Sequence, residues 1–431
     1  MKPICRSVLA LALIGAVAPV AMASESPLSP NVRLKVQQAL EANKDPIVRA
    51  LAPKERSILL ATLALDADEP DQALLNLDNQ QFADDPLVAL LEAEAHRRKA
   101  VSDVERAGDY ARSVRQASEK LAAASLVPGL GEAEARLHAF ADKLDGVTAG
   151  VPSSVLQLGS YIDTLFVVDK GRSRLFIYKR GADGGLTRVD DEYVATGSHD
   201  GDKESEGDGR TPNGVYRFVE RLASKALLDK YGPVAFPTDY PNALDTLHGK
   251  DGHGIWMHGY AEGVGRRPPR DTEGCFALPN PRLLAVQDYV HPGRSWVIVG
   301  ENIPFTDAKT PSPELASIHQ AIDGWVQDWE SLNADAYLSH YDKNFRAGKR
   351  NLASWSSYKR RVNAAKHFIK VSLDDMTIIR DPNAWPEGEI AVVEFMQHYD
   401  SSNFKDSGRK RLYLVRRPDA PWRILIEEEA P

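Results

Sequence analysis

The sequence predicts several folded regions in series: an all-helical first third, a β-rich middle and an α+β final third. Three observations predict it. Residues from Pro30 to about Asp142 are rich in Ala, Leu, Glu, Lys and Arg and poor in glycine. From Pro152 onward, short β-branched and aromatic runs alternate with turns built from Gly, Asp and Pro. Beyond Pro313 a helix-period stretch precedes four strand-like runs, the order expected of an α+β unit. With 43% hydrophobic and 26% charged residues, the 431-residue chain has the composition of ordinary folded domains, two or three of them by length.

The chain opens with Lys2 and Arg6 ahead of an apolar run from Val8 to Met22, followed by the small-x-small sequence Ala21-Met22-Ala23. This is the pattern of a cleaved signal peptide over residues 1–23 and predicts an exported, periplasmic protein. An uncleaved anchor is the competing reading, although the run is short beside the ~20 residues of a spanning helix. Cys5 lies before the apolar run and is not placed as a lipoprotein cysteine. Lys2 and Arg6 are the only charged residues of the leader, so cleavage takes the net charge from -8 to -10. An acidic protein is a poor partner for nucleic acid. Cleavage also removes one of the two cysteines and leaves Cys275 without an internal disulfide partner, either inert or reactive.

Residues 24–150 read as helices whose starts are marked by a polar residue followed by proline, as at Ser29-Pro30, Glu69-Pro70 and Asp85-Pro86. After Asp85, Leu87, Leu90, Leu91 and Ala95 fall near one helical face. The stretch EPDQALLNLDNQQFADDPLVALLEAEA resembles a degenerate tetratricopeptide-like helix pair. Such a region serves as a docking surface for other cell-wall proteins or for a second copy in a homodimer, or merely as a spacer.

Residues 151–302 carry the chemistry. Leu165–Val168, Arg174–Tyr178, Tyr193–Ala195, Val215–Val219 and Trp296–Val299 read as strands. The loop GSHDGDKESEGDGRTPNG holds five acids, Asp200, Asp202, Glu204, Glu206 and Asp208, without the spacing of a calcium loop, and reads as solvated. His248, His253 and His258 recur every five residues, each before a glycine; this spacing does not stack ligands on a helix, so no metal or other cofactor is expected. His258 and Cys275 flank a polar loop with Arg266, Arg267, Arg270, Pro268 and Pro269. An unperturbed thiol has a pKa of about 8.5, and a histidine within reach activates it by taking the proton, leaving a thiolate–imidazolium pair.

The succession VVDKGRSRLFIY, TGSHDGDKESEGDGRTPNGVY, IWMHGY and TEGCFAL is similar to the L,D-transpeptidase (YkuD-like) catalytic domain over about Leu158 to Gly300. The resemblance implies a β-rich domain whose cysteine attacks peptidoglycan stem peptides. His258-Gly259 and Thr272-Glu273-Gly274-Cys275 occupy the family's His-Gly and Ser/Thr-x-Gly-Cys positions. They imply Cys275 as nucleophile, His258 as base, and Gly274, Thr272 and Gly259 in oxyanion-binding or positioning roles. Arg266, Arg267, Arg270 and Trp256 are the candidate substrate contacts. Two positions depart from the family: Glu273 stands where histidine is common, and Ala277 where arginine or asparagine is common. The GCFA form looks more like the branch containing stem-trimming L,D-carboxypeptidases and enzymes that release proteins from the wall, so the resemblance leaves transpeptidation, trimming and the cleavage or attachment of a wall-linked protein as alternatives.

A Pro/Thr-rich linker, 303–313, leads to residues 314–431. A helix from about Glu314 to Leu332 places Ile318, Ile322, Trp325 and Trp329 on one stripe. Strand-like runs follow at Ile369–Leu373, Ile390–Tyr399, Arg411–Arg416 and Trp422–Glu427. This region resembles the nuclear transport factor two-like cone fold. That fold forms a pocket, so Trp325, Tyr341, Trp355 and Tyr399 are either a glycan- or peptide-binding set or simply core. The competing functional class is a non-catalytic wall-binding scaffold.

Overall fold

The computed structural model describes residues 28–42, 45–78, 82, 85–105, 131–223, 227–264, 267–307 and 312–430. The leader, with Cys5, lies outside them. Among the described residues the first region is built of helices, with Pro30–Ala42, Pro46–Arg49, Pro53–Asp66, Pro70–Leu77 and Pro86–Glu105 each opening on proline, whose missing N–H costs nothing in a first turn. Leu87, Leu91 and Ala95 are buried as their spacing predicts, in a core with Ile58, Leu65 and Leu77. A further helix over 131–144 returns Leu137 and Phe140 to a second core with Val36, Leu40 and Leu63.

Two sheets build the middle region. One has five strands in the order Leu186–Tyr193, Arg174–Arg180, Thr164–Asp169, Ser295–Gly300, Gly214–Arg217. The other has four, in the order Phe276–Ala277, Trp256–His258, Val234–Pro237, Leu222–Ala223. Phe166, Val168 and Ile177 of the first pack against Phe236, Met257 and Phe276 of the second. The five-stranded sheet's other face, with Leu165, Val167, Phe176 and Ile298, meets Ile379, Val392, Tyr413 and Leu425 of the C-terminal sheet. Coverage on both sides explains why TLFVVD and SWVIVG are unbroken buried runs.

The third strand departs from its sequence reading. Tyr193 ends the strand Leu186–Tyr193 instead of opening one. It lies at the sheet edge, where Arg188, Asp190 and Asp191 are tolerated, so composition hid it.

The C-terminal region has helices Pro313–Glu330, Ala334–Leu338 and Leu352–Ala364 against a long, mainly antiparallel sheet, in which only Tyr341–Ala347 and Arg423–Glu429 pair parallel among the described residues. Its hairpins Ile369–Arg380, Glu389–Ser401 and Phe404–Arg416 run past their apolar segments into polar tips such as FKDSGRK. Ile318, Ile322, Trp325, Trp329, Tyr341, Trp355 and Tyr399 form its core. Here Trp325 Nε1 donates to Tyr341 Oη at 3.1 Å, and Tyr341 donates to Glu427 at 3.0 Å.

The middle and C-terminal regions interlock. Val155–Gln157, within the middle segment, pairs with Ile369–Arg380 and extends the C-terminal sheet. Phe305–Thr306, inside the linker, returns to pair with Val151–Pro152. Between the sheets, buried Arg217 lies 3.4 Å from Glu394 and 3.5 Å from Asp239, and buried Arg411 is 3.2 and 3.3 Å from the same two acids.

Candidate active site

The site stands on the strands Trp256–His258 and Phe276–Ala277, which run parallel with Met257 opposite Phe276 and His258 opposite Ala277. Met257 and Phe276 face the core. Strand alternation therefore turns Trp256, His258 and Cys275 to the opposite face, with Trp256 across from Cys275 and His258 one pleat further on. Sequence order thus places the cysteine and the histidine on one side of one sheet.

His258 Nδ1 lies 2.6 Å from the Gly259 carbonyl. A carbonyl only accepts, so this assigns the proton to Nδ1 and leaves the Nε2 lone pair as the basic position. Gly259 is itself clamped: its N–H donates to the Tyr231 carbonyl at 3.0 Å, and a Cβ there would meet Asn280 Oδ1 at 2.1 Å. Asn280 was not singled out in the sequence, yet it binds Tyr260 twice, accepting from its N–H at 2.7 Å and donating to its carbonyl at 3.0 Å. Its only sequence trace is its place in CFALPNP, just past the cysteine.

The Cys275 thiol donates to the Gly254 carbonyl at 3.2 Å and receives the Trp256 backbone N–H. Among the described residues no hydrogen bond joins Sγ to His258. Burial pushes the thiol up to about 11, outweighing the Trp256 N–H and the Lys230 charge. Burial likewise pushes the imidazole down to about 4, against the Gly259 carbonyl and with help from Arg267 and Lys230. The resting pair is therefore a neutral thiol and a neutral imidazole, not the thiolate–imidazolium pair the motif suggested; neither charge has the solvation it would need in so buried a site.

Thr272 organises the turn. Its hydroxyl donates to the Cys275 carbonyl at 2.6 Å and accepts from the Gly274 N–H at 3.1 Å. That engages the Gly274 N–H, which the sequence had suggested for an oxyanion-binding role. Gly274 contributes shape instead: it has φ +121°, and a Cβ would meet the Arg210 carbonyl at 2.7 Å. Thr211, unremarked in the sequence, also donates to the Cys275 carbonyl at 3.4 Å and accepts from Gly197 N–H at 2.8 Å.

The candidate substrate contacts separate. Trp256 packs on Tyr231 with ring centroids 4.8 Å apart, and Tyr231 meets His258 edge-on at 5.1 Å. Arg267 lies over the Tyr260 ring at 5.3 Å and reaches Asp271 at 3.3 Å. Arg270 is committed to Asp200 at 2.7 Å and lies 3.7 Å from Glu301, which neutralises it as an anion contact. Arg266 lies outside the described residues. Glu273 pairs with Lys230 at 3.2 Å on the exposed rim.

The acidic loop is solvated at Asp200, Glu204 and Glu206, as expected, but anchored at Asp202 and Asp208. Asp202 accepts from Asn213 N–H at 2.8 Å and from Lys250 and Asn383. Asp208 holds Lys203 at 2.8 Å; despite partial burial, Lys203 and three backbone N–H groups hold its carboxyl well below the ordinary range. His248 stacks on Trp385 at 4.2 Å and bonds Glu387 at 2.7 Å, while His253 is exposed beside Glu206, so the three evenly spaced histidines face different surroundings.

Two family models match the chain: the L,D-transpeptidase catalytic domain (YkuD) over residues 163–299 and the Cds6 C-terminal NTF2-like domain over residues 317–428. No curated protein sequence matches. Among solved structures, Bd1075 of Bdellovibrio bacteriovorus is 26% identical with a TM-score of 0.56, covering 65% of this chain and 98% of its own. The helical cell shape determining protein Pgp2 of Campylobacter jejuni is 29% identical with a TM-score of 0.53, covering 64% of this chain and 95% of its own. Residues before 163 fall outside both family models. The chain thus carries an L,D-transpeptidase catalytic domain with Cys275 and His258 on one face of its smaller sheet, followed by an NTF2-like domain.

Proposed function

We propose that this protein is an exported, periplasmic cysteine enzyme that trims peptidoglycan stem peptides as an L,D-carboxypeptidase. The observation that carries the reading is the shared face of Cys275 and His258, with Nδ1 spent on the Gly259 carbonyl. The GCFA form of the motif supports trimming, and the cell-shape role in Pgp2's name fits a wall-modifying enzyme.

Because the resting pair is neutral, the thiol proton moves to His258 Nε2 as Sγ attacks the carbonyl carbon of the stem's diamino-acid residue. The carbonyl electron pair moves onto oxygen, and Cys275 N–H stabilises that oxyanion. Collapse expels the terminal D-alanine amine, which takes the proton from His258, and leaves a thioester on Cys275. Water then gives a proton to His258 and attacks the thioester, releasing the trimmed stem and restoring the thiol. We assign the substrate carboxylate to Arg267, which would exchange its 3.3 Å contact with Asp271 for it. An amine in place of water would give transpeptidation.

Mass spectrometry of disaccharide-tetrapeptide incubated with the protein tests this. Loss of D-alanine with uptake of water, absent with Cys275→Ala, is the expected result. A cross-linked dimer or an exchanged terminal residue would replace trimming by transpeptidation. No change with either protein would favour a wall-binding scaffold or a wall-linked protein substrate.

A further inference from the structure

The helical first third touches the catalytic domain beside the loop that carries Arg267. Tyr193, buried at the end of an edge strand, donates its hydroxyl to the Arg267 carbonyl at 2.8 Å. The Arg136 guanidinium, from the helix over 131–144, sits 5.4 Å over that same ring. Arg136 is held by Glu132 on its own helix at 3.0 Å and by Glu55 on Pro53–Asp66 at 3.3 Å. One residue into this contact, a Cβ on Gly131 would lie 3.2 Å from Pro269 Cδ. The rest of the leg is pinned by its backbone, with Thr196 N–H donating to Pro269 and Ser198 N–H to Thr272, both at 2.9 Å, and by Arg270 on Asp200 at 2.7 Å.

A cation over a tyrosine ring holds the ring in place, and a buried hydroxyl bond fixes the carbonyl it meets. We propose that Tyr193 and Arg136 are positioning residues through which the helical region sets the Arg267 leg of the substrate loop. This rests on the assignment of Arg267 to substrate binding. It gives the helical third a catalytic consequence without a contact to substrate, and makes substrate affinity depend on a region outside the catalytic family model.

The test uses the full chain with Tyr193→Phe, which keeps the ring under Arg136 and removes only the hydroxyl, alongside Arg136→Met and Arg136→Lys. Loss of one hydrogen bond predicts a KM for disaccharide-tetrapeptide raised about fivefold in Tyr193→Phe, with kcat within about twofold. Arg136→Met should move KM the same way, and Arg136→Lys should restore it. Hydrogen exchange at Thr196 and Ser198 should quicken in Tyr193→Phe and Arg136→Met, with thermal midpoints reporting that both variants are folded. Unchanged KM and unchanged exchange in Tyr193→Phe would overturn the proposal. If the unaltered protein turns over no substrate, it is the enzymatic reading that fails, and the exchange measurement still decides whether Tyr193 and Arg136 hold the loop.

Discussion

The hydroxyl of Thr272 donates to the carbonyl of Cys275 at 2.6 Å, so the residue three places before the cysteine fixes the backbone on which the thiol is carried. Thr272→Val keeps the side-chain shape and deletes both hydroxyl bonds. We expect kcat to fall about tenfold, the effect of losing one or two buried hydrogen bonds that hold geometry. Thr272→Ser should recover most of it. Steady-state kinetics of the two variants checks this, and a loss in Thr272→Ser with Thr272→Val unimpaired would show that the methyl group, not the hydroxyl, matters.

The neutral Cys275–His258 pair has a pH signature. With the thiol pushed up to about 11, alkylation of the free protein by iodoacetamide should be slow at pH 7 and still rising at pH 9. A plateau below pH 8 would mean a stable thiolate and contradict the charge assignment.

His258 also links pH to stability. Its pKa falls from 6.5 in the unfolded chain to about 4 when folded, so between those values the unfolded chain binds the proton and the folded protein does not. This contribution makes the protein lose about 3 kcal/mol as pH falls through that window. Denaturant unfolding at pH 7 and pH 4.5, compared with His258→Asn, isolates the contribution from the other titrating carboxyls. The variant should lose less stability on acidification.

Asn280 and Glu394 carry structural predictions of different kinds. Asn280→Ala removes two bonds to Tyr260 behind the Gly259 carbonyl, and should cost about 2 kcal/mol and lower activity. Its effect on activity should exceed that of a surface change with equal thermal loss.

Glu394→Ala leaves Arg217 and Arg411 buried between the two sheets without the acid that they share along with Asp239. The cost of breaking such a buried network is about 3–5 kcal/mol. Calorimetry should show that loss in a single transition, because the two sheets share one apolar core. Two separated transitions in the unaltered protein would contradict that coupling.

Much of this was legible in the chain. The proline-led helices, Leu87, Leu91 and Ala95, and the stripe through Trp329 follow from capping and periodicity, which are local. The His-Gly and Thr-x-Gly-Cys motifs were legible from their order, and strand alternation sets His258 and Cys275 on one face. What was not legible depends on distant partners. The edge strand Leu186–Tyr193 is too polar to announce itself, and the tips of the C-terminal hairpins continue by pairing rather than by composition. The commitment of Arg270 to Asp200, the anchoring of Asp202 by Lys250 and Asn383, and the clamp at Asn280 are tertiary meetings that spacing does not encode. Burial, which sets the charge state of Cys275 and His258, is equally a property of the folded protein.

The most direct test of the central claim is intact-protein mass spectrometry after acid quench of a brief incubation with disaccharide-tetrapeptide. The account predicts an adduct equal to the donor minus D-alanine, mapped to Cys275, lost on treatment with hydroxylamine and absent from Cys275→Ala. Release of D-alanine by the Cys275→Ala protein at the rate of the unaltered one would contradict it.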